Sequence, residues 1–375
     1  MGEKKRIRIL HVAQAAGGVD RYIQILLKYL NKEKYENIIV CSQDFKKKEY
    51  ENLVVAFEQI NMQREIKFSD LKSAKVVRKL IKKYKPDIVY AHSSKAGAVV
   101  RMADIGLKNV CIYNPHGWAF NMRCSERQRK LYTLIERLEA SFCDVIICIS
   151  DAEKKSALDK KICPGKKIRV IISGIDIEQY EMRKKNQLTR KELQIPDDAY
   201  VIGMVGRISL QKAPDVFMKA AKKIKESIPK AYFIIVGDGE QKDKIIEYAV
   251  ENNLSNCLLI TGWVDDSMKY VELFDIAMLL SRWEGFGLAL PEYMLAQKPI
   301  IATQADAIPY IIRNNINGFL VGIDDVEGVY NAAMKLYADV ELCNRFINEG
   351  LVDVYERFNA IRVSKEHEVI FESLI

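Results

Sequence analysis

A chain of 375 residues with 49% hydrophobic composition is long enough to fold around two cores, which predicts two domains and excludes a disordered protein. The formal net charge of +8 is modest for this length and comes without a recognition motif or interleaved aromatic residues, so we expect no nucleic-acid partner. No apolar run approaches the ~20 residues that span a bilayer, and no signal peptide precedes the first predicted strand, so we expect a cytosolic protein.

Short β-branched runs alternate with longer amphipathic stretches from the start of the chain, which is the pattern of βα units and parallel sheets. The strands predicted in the first half are IRILHVA, ENIIVCS, PDIVYAH, VCIYNPH, DVIICIS and IRVIISG. Residues 174–200 are charged and poor in strand signals, which is typical of a connection between domains. The alternation then resumes with VIGMVGRI, YFIIVGD, CLLITGW, IAMLLS and PIIAT. The predicted fold class is α/β, with two doubly wound Rossmann-like domains at 1–180 and 181–355.

One helix predicted in the first half has a strongly cationic face. Residues 67–85 carry eight basic side chains and one aspartate, a charge of 8 − 1 = +7. The predicted buried stripe of this helix consists of Val76, Val77, Leu80, Ile81 and Tyr84. The simpler interpretation is a solvated surface helix. The functional alternative is a patch that holds the protein on an anionic membrane, where each basic residue contributes about 1 kcal/mol.

Several conspicuous residues directly follow predicted strands. These residues are Gly17, Gly18, His92, His116 and Arg207. In open parallel sheets, ligands bind beyond the carboxyl ends of the strands. We therefore expect one ligand, bound in a cleft between the domains, to contact this set.

Two acids flank a glycine-containing turn in SRWEGFGLALPEYMLA, residues 281–296. Glu284 lies in a predicted loop, and Glu292 lies in the early turns of a helix predicted to begin near Gly287 or Leu288. Backbone N–H groups at a helix start can donate to a sugar hydroxyl or a phosphate, and glycines let a ligand approach closely. A carboxylate is well suited to accept hydrogen bonds from a ribose diol. The pattern predicts one acid for a sugar and one for a ribose.

These motifs together resemble those of the retaining family-4 glycosyltransferases of GT-B fold. EGFGLALPE resembles the E-x7-E motif of that family, AAGGVDRYI its Gly-Gly loop, PHGW its His-Gly signature, and GRISLQK its phosphate-binding Arg and Lys. VGDGE and GWVDD fall where the family lines its nucleotide pocket. The similarity spans nearly the whole chain and is nearest to bacterial capsule and exopolysaccharide transferases. It implies the GT-B fold, in which two domains face a central cleft and a C-terminal helix, here 356–375, crosses back to the first domain.

The resemblance also implies roles for individual residues. The catalytic residues would be His116, which contacts the donor sugar, and Glu284. The donor diphosphate would be bound by Gly17, Gly18, Arg207 and Lys212. The donor sugar would be bound by Gly285, Phe286, Gly287 and Leu288. The nucleoside would be bound by Gly237, Val264 and Glu292.

The two histidines at strand ends leave alternatives open. A lone histidine such as His116 is often a structural residue at a strand end, although its Pro-His-Gly-Trp context favours the active site. His92 could equally support a loop. No His or Cys has zinc-ligand spacing, and no Asp-x-Asp follows a strand, so we expect no metal ion and no other cofactor.

The implied activity is the retaining transfer of a sugar from a nucleotide-diphosphate sugar to a lipid-linked saccharide in cell-surface polysaccharide assembly, and the expected donor is UDP-linked. The alternatives are a nucleotide-sugar epimerase or hydrolase of GT-B fold and a non-catalytic, membrane-bound scaffold subunit. A scaffold would have no need of Glu284, Arg207 and Lys212. A dinucleotide-dependent oxidoreductase is disfavoured because AQAAGGVDRY does not match G-x-G-x-x-G.

Two further expectations concern the membrane and the C-terminal segment. The basic residues in RCSERQRK add to the cationic 67–85 helix, so we expect peripheral association with the anionic inner face of the plasma membrane. These residues are Arg123, Arg127, Arg129 and Lys130. The expected apolar anchors of the returning C-terminal segment are Tyr355, Phe358, Ile361 and Val369 to Phe371.

Overall fold

The chain forms two compact units. The computed structural model describes residues 5–14, 16–63, 69–122, 124–183 and 188–375. The first unit is Met1–Gly174 with Ala360–Ile375, and the second unit is Ile175–Asn359. The boundaries predicted from the sequence, after residues 180 and 355, differ from these by a few residues. Within the described ranges, no helix is both long enough and apolar enough to cross a membrane.

The first unit is built on an open parallel sheet. Its described strands are β1 (Ile7–Ala13), β2 (Tyr35–Cys41), β3 (Ala56–Gln59), β4 (Ile88–His92), β5 (Val110–Asn114), β6 (Val145–Cys148) and β7 (Ile168–Val170). The strand order is β3-β2-β1-β4-β5-β6-β7, and each neighbouring pair is parallel. The helices between these strands are α1 (Gly18–Tyr29), α2 (Ser69–Tyr84), α3 (Ser94–Asp104), α4 (Glu126–Glu139) and α5 (Asp151–Asp159).

The second unit has the same kind of architecture. Its described strands are β8 (Tyr200–Val205), β9 (Ala231–Val236), β10 (Leu258–Ile260), β11 (Ile276–Leu279), β12 (Ile300–Thr303) and β13 (Phe319–Val321). They form a parallel sheet in the order β10-β9-β8-β11-β12-β13. Its described helices are α6 (Ile177–Arg183), α7 (Pro214–Ser227), α8 (Lys242–Glu251), α9 (Met268–Val271), α10 (Ala289–Leu295), α11 (Ile308–Ile311), α12 (Val326–Ala338) and α13 (Val340–Arg357).

The predicted α/β class is confirmed, with two strands added. Central strands such as β4 are buried at every position, because both faces of a parallel sheet are covered, and so they read as continuous apolar runs. The strands β3 and β13 were not predicted. Both lie at the edge of their sheets, and they are only four and three residues long. The equally short edge strands β7 and β10 were predicted because longer apolar runs contain them, whereas β3 ends in two polar residues and β13 lies between two glycines.

The last helix, α14 (Ala360–Leu374), belongs to the first unit, as predicted for the C-terminal segment. It buries side chains at helical spacing: Ala360, Val363, Ser364, His367 and Phe371. Phe371 is fully buried and packs edge-on against Tyr35, with ring centroids 5.9 Å apart. The chain therefore contributes its C-terminal end to the core of the first unit.

The predicted anchors of this segment are confirmed in part, since Phe371 is buried in the first unit. Tyr355 and Val369 are 52% and 69% exposed, so neither anchors the segment. Phe358 is buried in the second unit, where its ring packs against Phe286. The helical stripe that faces the core is offset from the predicted one, because α14 begins only at Ala360.

Candidate active site

Several of the predicted site residues follow the strands at which the strand order reverses. In the first sheet the order reverses between β1 and β4, and in the second sheet it reverses between β8 and β11. Such switch points are where open α/β sheets bind ligands. Gly17 and Gly18 follow β1, Arg207 and Lys212 follow β8, and Glu284 follows β11.

A lysine and a glutamate lie at the centre of the site in the second unit. Lys212 Nζ donates to Glu284 Oε2 in a direct contact, and the two side chains are 17% and 11% exposed. Ser281 Oγ donates to the same carboxylate oxygen at 3.0 Å. The backbone N–H of Glu284 donates to Asp306 Oδ2 at 2.9 Å. The ammonium and the carboxylate are both partly buried, where charges interact more strongly than in bulk water.

Arg207, which follows β8 as Lys212 does, presents a more accessible cation. Its side chain is 50% exposed, and Nε donates to Glu240 Oε2 at 3.0 Å. Ion pairs at such exposure contribute about 0–1 kcal/mol. The guanidinium can therefore exchange Glu240 for an anionic ligand at little cost.

Arg282, which no sequence motif marks, holds the Glu284 loop against two other segments. Its guanidinium donates to both carboxylate oxygens of Asp215, at 3.0 and 2.7 Å, and to Asp324 Oδ1 at 2.7 Å. This forked geometry fixes orientation as well as position. The partners lie 67 and 42 residues away in the chain, so the pairing carries no local sequence signal.

The glycine-containing turn adopts the conformation that its sequence favours. Gly287 has a φ of 89°, and a Cβ there would lie 3.1 Å from Leu279 Cδ2. Leu288 precedes α10, which matches the helix start predicted near these residues. Phe286 is 4% exposed, with its ring packed against Phe358 at 5.9 Å. A ligand would meet the backbone of Phe286 and not its ring.

Tyr293, another residue that no sequence motif marks, connects helix α10 to both strands of the switch point. The Tyr293 hydroxyl accepts a 2.8 Å hydrogen bond from the Val205 N–H in β8 and donates to the Met278 carbonyl of β11 at 3.4 Å. The neighbouring Glu292 is only 4% exposed and lies in the first turn of α10. Glu292 is therefore an interior carboxylate on a rigidly held helix.

Gly237 and Val264, both predicted to bind the nucleoside, lie after β9 and β10. Val264 is half-buried. Gly237 has a φ of 144°, and a Cβ there would lie 2.1 Å from the carbonyl oxygen of Gly206. The close approach of these two backbone segments requires a glycine, whatever else the residue does.

We expect Gly237→Ala to destabilise the second unit by about 1–3 kcal/mol or more, because the clash is with backbone that has little freedom to move. Thermal unfolding measures this as a lowered Tm. Gly165→Ala is the matched control, since a Cβ there would make an ordinary 3.6 Å contact with Leu158. Equal melting temperatures for the two variants would contradict the expected clash.

The glycines of the first unit lie where α1 begins. Gly17 has a φ of 106° and is the residue preceding α1, and it offers no side chain to cap the helix. Added Cβ atoms at Gly17 and Gly18 would meet no described atom within 4 Å. The space above this helix start is therefore open to a ligand, and its N–H groups favour an anion.

His116 is held in an unusual backbone conformation after β5. Its φ is 50° and that of Gly117 is 106°. The N–H of His116 donates to Asn114 Oδ1 at 3.0 Å, and the buried carboxylate of Glu153 accepts hydrogen bonds from the Gly117 and Ile149 N–H groups. Burial raises the pKa of Glu153 to about 8. Residues held in sparsely populated conformations cluster at functional sites.

His92, which ends β4, is fully buried and lies between two other histidines. His92 Nδ1 lies 3.1 Å from His116 Nε2, and His92 Nε2 lies 3.2 Å from His11 Nδ1. Burial lowers the pKa of His116 to about 3 and that of His11 to about 4, and it lowers the pKa of His92 well below its ordinary value. All three rings are therefore neutral at physiological pH.

Comparison with known proteins identifies the family. Residues 16–179 match the model of Glycosyltransferase Family 4, and residues 185–352 match that of Glycosyl transferases group 1. A galactosyltransferase of Escherichia coli that uses UDP-Gal and α-D-GlcNAc-diphosphoundecaprenol, according to its name, is 30% identical over 99% of this chain and 98% of its own length. The chain belongs to glycosyltransferase family 4.

Two other comparisons concern the family and the fold. The capsular polysaccharide biosynthesis glycosyltransferase CapM of Staphylococcus aureus is 27% identical over 93% of both chains. The HepE protein of Anabaena, solved in complex with UDP and glucose, superposes with a TM-score of 0.84 at 20% identity, covering 98% of this chain and 100% of its own. The structural likeness shows that this glycosyltransferase has the GT-B fold.

The described residues of this glycosyltransferase contain no group of three or more His, Cys, Asp or Glu side chains arranged to hold a metal ion. Metal independence stays a prediction. The predicted site residues Arg207, Lys212 and Glu284 of the second unit are accompanied by three further residues, Ser281, Arg282 and Asp306. Ser281, Arg282 and Asp306 each make contacts that orient the loop of Glu284.

Proposed function

We propose that this glycosyltransferase moves a sugar from a UDP-linked donor to a lipid-linked saccharide, with retention of configuration and without a metal ion, in the assembly of cell-surface polysaccharide. The observation that carries the proposal is the partly buried Lys212–Glu284 pair at the carboxyl ends of β8 and β11, with the cation Arg207 also following β8. The E. coli relative, whose name specifies UDP-Gal and a diphosphoundecaprenol-linked sugar, supports the choice of donor and acceptor.

The chemistry of the donor explains these charges. As the glycosidic bond breaks, the leaving diphosphate gains negative charge, and fixed cations stabilise that charge in the transition state. Arg207 offers a bidentate fork and Lys212 a point charge. In the first unit, Gly17 and Gly18 open the start of α1 to the phosphates, and His116 contacts the donor sugar.

Retention is assigned to a front-face attack assisted by the leaving phosphate. Glu284 Oε2 already accepts from Lys212 and Ser281, so this carboxylate is suited to stabilise developing positive charge at the sugar and not to attack it. The backbone of Gly285 to Leu288 lines the sugar. Glu292 binds the ribose hydroxyls, with Gly237 and Val264 beside the nucleoside.

A thermal-shift screen of nucleotide sugars tests the proposed donor class. A ligand that binds the folded state stabilises it by about 2.7 kcal/mol at one hundred times its Kd. UDP and one or more UDP-sugars should raise the Tm, and excess EDTA should leave that rise unchanged. A rise with GDP- or ADP-sugars alone would contradict the UDP donor, and a rise abolished by EDTA would contradict metal independence.

The membrane part of the proposal rests on α4 in the first unit. Leu131, Leu134 and Leu138 recur along one side of this helix and are 50%, 51% and 62% exposed. The exposed cations Arg127, Lys130 and Arg137 lie on the same helix. An apolar stripe with flanking basic residues suits a helix that lies in the interface of an anionic bilayer, at the inner face of the plasma membrane. Arg123 falls outside the described residues.

The α2 helix supplies fewer free cations than its sequence indicates. Residues 67 and 68 lie outside the described ranges, Lys83 pairs with Glu58, and Arg78 donates to the Ala103 and Ile105 carbonyls. Lys75, Lys79 and Lys82 are exposed. Val76, predicted in the buried stripe, is 41% exposed, whereas Val77 and Ile81 are buried. The α2 lysines therefore add long-range attraction to the contact made by α4.

Reversing charge at Lys75, Lys79 and Lys82 to Glu should weaken binding to phosphatidylserine vesicles by about a hundredfold or more, at ~1 kcal/mol for each lysine. Leu134→Asp with Leu138→Asp should weaken it as well, since the apolar stripe would then resist burial. The matched control reverses three exposed lysines of the second unit, Lys219, Lys222 and Lys244. Vesicle co-sedimentation measures the binding. Equal binding of the unaltered protein to neutral and anionic vesicles would contradict the membrane proposal.

A further inference from the structure

All four histidines of the protein gather in one cluster of the first unit. Three of them form a line that begins at a buried asparagine of β2. Asn37 Oδ1 lies 3.2 Å from His11 Nε2, His11 Nδ1 lies 3.2 Å from His92 Nε2, and His92 Nδ1 lies 3.1 Å from His116 Nε2. His11 and His92 are fully buried and Asn37 is 5% exposed. Both ring nitrogens of His11 and His92 are thus used within the line.

The direction of these hydrogen bonds follows from the orientation of the Asn37 amide, whose oxygen and not its NH2 group faces His11. A neutral imidazole has one N–H donor and one bare nitrogen acceptor. A carbonyl oxygen accepts only, so the hydrogen of His11 lies on Nε2, and His11 Nδ1 must accept from His92 Nε2–H. By the same rule, His92 Nδ1 accepts from His116 Nε2–H. The remaining nitrogen of His116, Nδ1, is then a bare acceptor.

We propose that Asn37, His11 and His92 are positioning residues that hold His116 in its Nε2–H tautomer, so that Nδ1 accepts a hydrogen bond from a hydroxyl of the donor sugar. The hydroxyl contact rests on the proposed function, whereas the tautomer does not. No group among the described residues hydrogen-bonds His116 Nδ1. Because a bare nitrogen attracts a hydroxyl hydrogen and repels an ionised phosphate oxygen, the line makes His116 a sugar contact and not a diphosphate contact.

The fourth histidine provides an internal reference with the opposite tautomer. His367 Nδ1 lies 2.8 Å from the Val363 carbonyl, which accepts only, so the hydrogen of this ring lies on Nδ1. Its Nε2 lies 3.1 Å from the hydroxyls of both Tyr22 and Tyr90, which can donate to it. The structure therefore assigns three Nε2–H rings and one Nδ1–H ring to a protein with four histidines.

Long-range ¹H–¹⁵N correlation NMR of the ligand-free full chain, labelled with ¹⁵N-histidine, tests the tautomers directly. Single His→Gln variants assign the four rings. We expect Nε2–H signals for His11, His92 and His116 and an Nδ1–H signal for His367 at pH 7.5. An Nδ1–H form of His116 in the unaltered protein would overturn the proposal without any bearing on the proposed function.

Asn37→Leu, which keeps the side-chain volume and removes the acceptor, should let His116 populate its Nδ1–H form and should lower kcat/KM for the donor about tenfold, the effect of one lost hydrogen bond. Asn109→Leu is the control, because that amide bonds Asp104 and lies outside the line. An unchanged His116 tautomer in Asn37→Leu would overturn the proposal that the line sets this tautomer.

In the unaltered protein, the UDP-sugar that raises the Tm should move the Nδ1 resonance of His116 and leave that of His367 in place. An unmoved His116 resonance would overturn the hydroxyl contact.

Discussion

Lys212→Ala is expected to lower kcat by about a hundredfold to a thousandfold, the effect of removing one fixed group that stabilises developing negative charge. The ammonium lies at the carboxyl end of β8, and its side chain is only 17% exposed, so little water can substitute for it. Steady-state kinetics with the donor found in the thermal-shift screen measure the effect. Lys223→Ala is the control, because Lys223 forms an exposed ion pair with Glu327 in the same unit.

The loss of Lys212 also strands the carboxylate of Glu284, which is 11% exposed, and an unpaired buried charge is itself destabilising. The double variant Lys212→Ala with Glu284→Gln separates the two effects. If Lys212 stabilises the leaving diphosphate, removing the stranded charge restores the Tm, but kcat of the double variant stays well below that of Glu284→Gln alone. A kcat equal to that of Glu284→Gln alone would mean that Lys212 serves only to neutralise Glu284.

Changing Glu284 to Gln and changing Glu292 to Gln are expected to affect different kinetic constants. Glu284 lies in the loop beside Gly285 to Leu288, so its charge should stabilise the positive charge that develops at the sugar. Loss of this charge should therefore mainly lower kcat. Glu292 should bond ribose hydroxyls remote from bond breaking, so Gln there should mainly raise the donor KM. A lost charge-assisted hydrogen bond is worth roughly 1.5–3 kcal/mol, which predicts changes of about tenfold to a hundredfold.

The burial of the two carboxylates calls for a folding control in this comparison. Glu292 is 4% exposed within α10, so circular dichroism and the Tm should be measured for both variants before their kinetics are compared. If Glu284→Gln altered only the donor KM while Glu292→Gln abolished turnover in folded protein, the roles of the two acids would be reversed.

The sequence predicts the fold well because a parallel strand buried on both faces appears as a continuous apolar run. The run Ile88–His92 is apolar at nearly every position and is fully buried. The edge strand Ala56–Gln59 ends in two polar residues, so it cannot be predicted from an apolar run. The start of α10 could be predicted from its glycine-containing turn. The offset in the C-terminal anchors arose because the end of α13 and the start of α14 lie close together, with no strong breaker to separate them.

The site is predictable to the extent that its residues lie in local motifs. Lys212 and Glu284 could each be identified from their motifs, yet their direct pairing joins positions 72 residues apart. The contacts of Arg282 with Asp215 and of Tyr293 with Val205 are likewise long-range. His11 and His367 lie within a strand and a helix, where a buried histidine has no sequence signature. Such partners are chosen by packing, which only the folded chain reveals.

The mass of a lipid-linked acceptor after incubation tests the central claim most directly. The full-length protein is incubated with the UDP-sugar that raises its Tm and with a diphosphopolyprenol-linked N-acetylglucosamine in anionic vesicles. Mass spectrometry should show a lipid heavier by one sugar residue, in the presence or absence of EDTA, and no such product with the Lys212→Ala variant on the same time scale. Release of UDP, or conversion of the donor sugar, with every lipid acceptor left at its original mass would contradict the account.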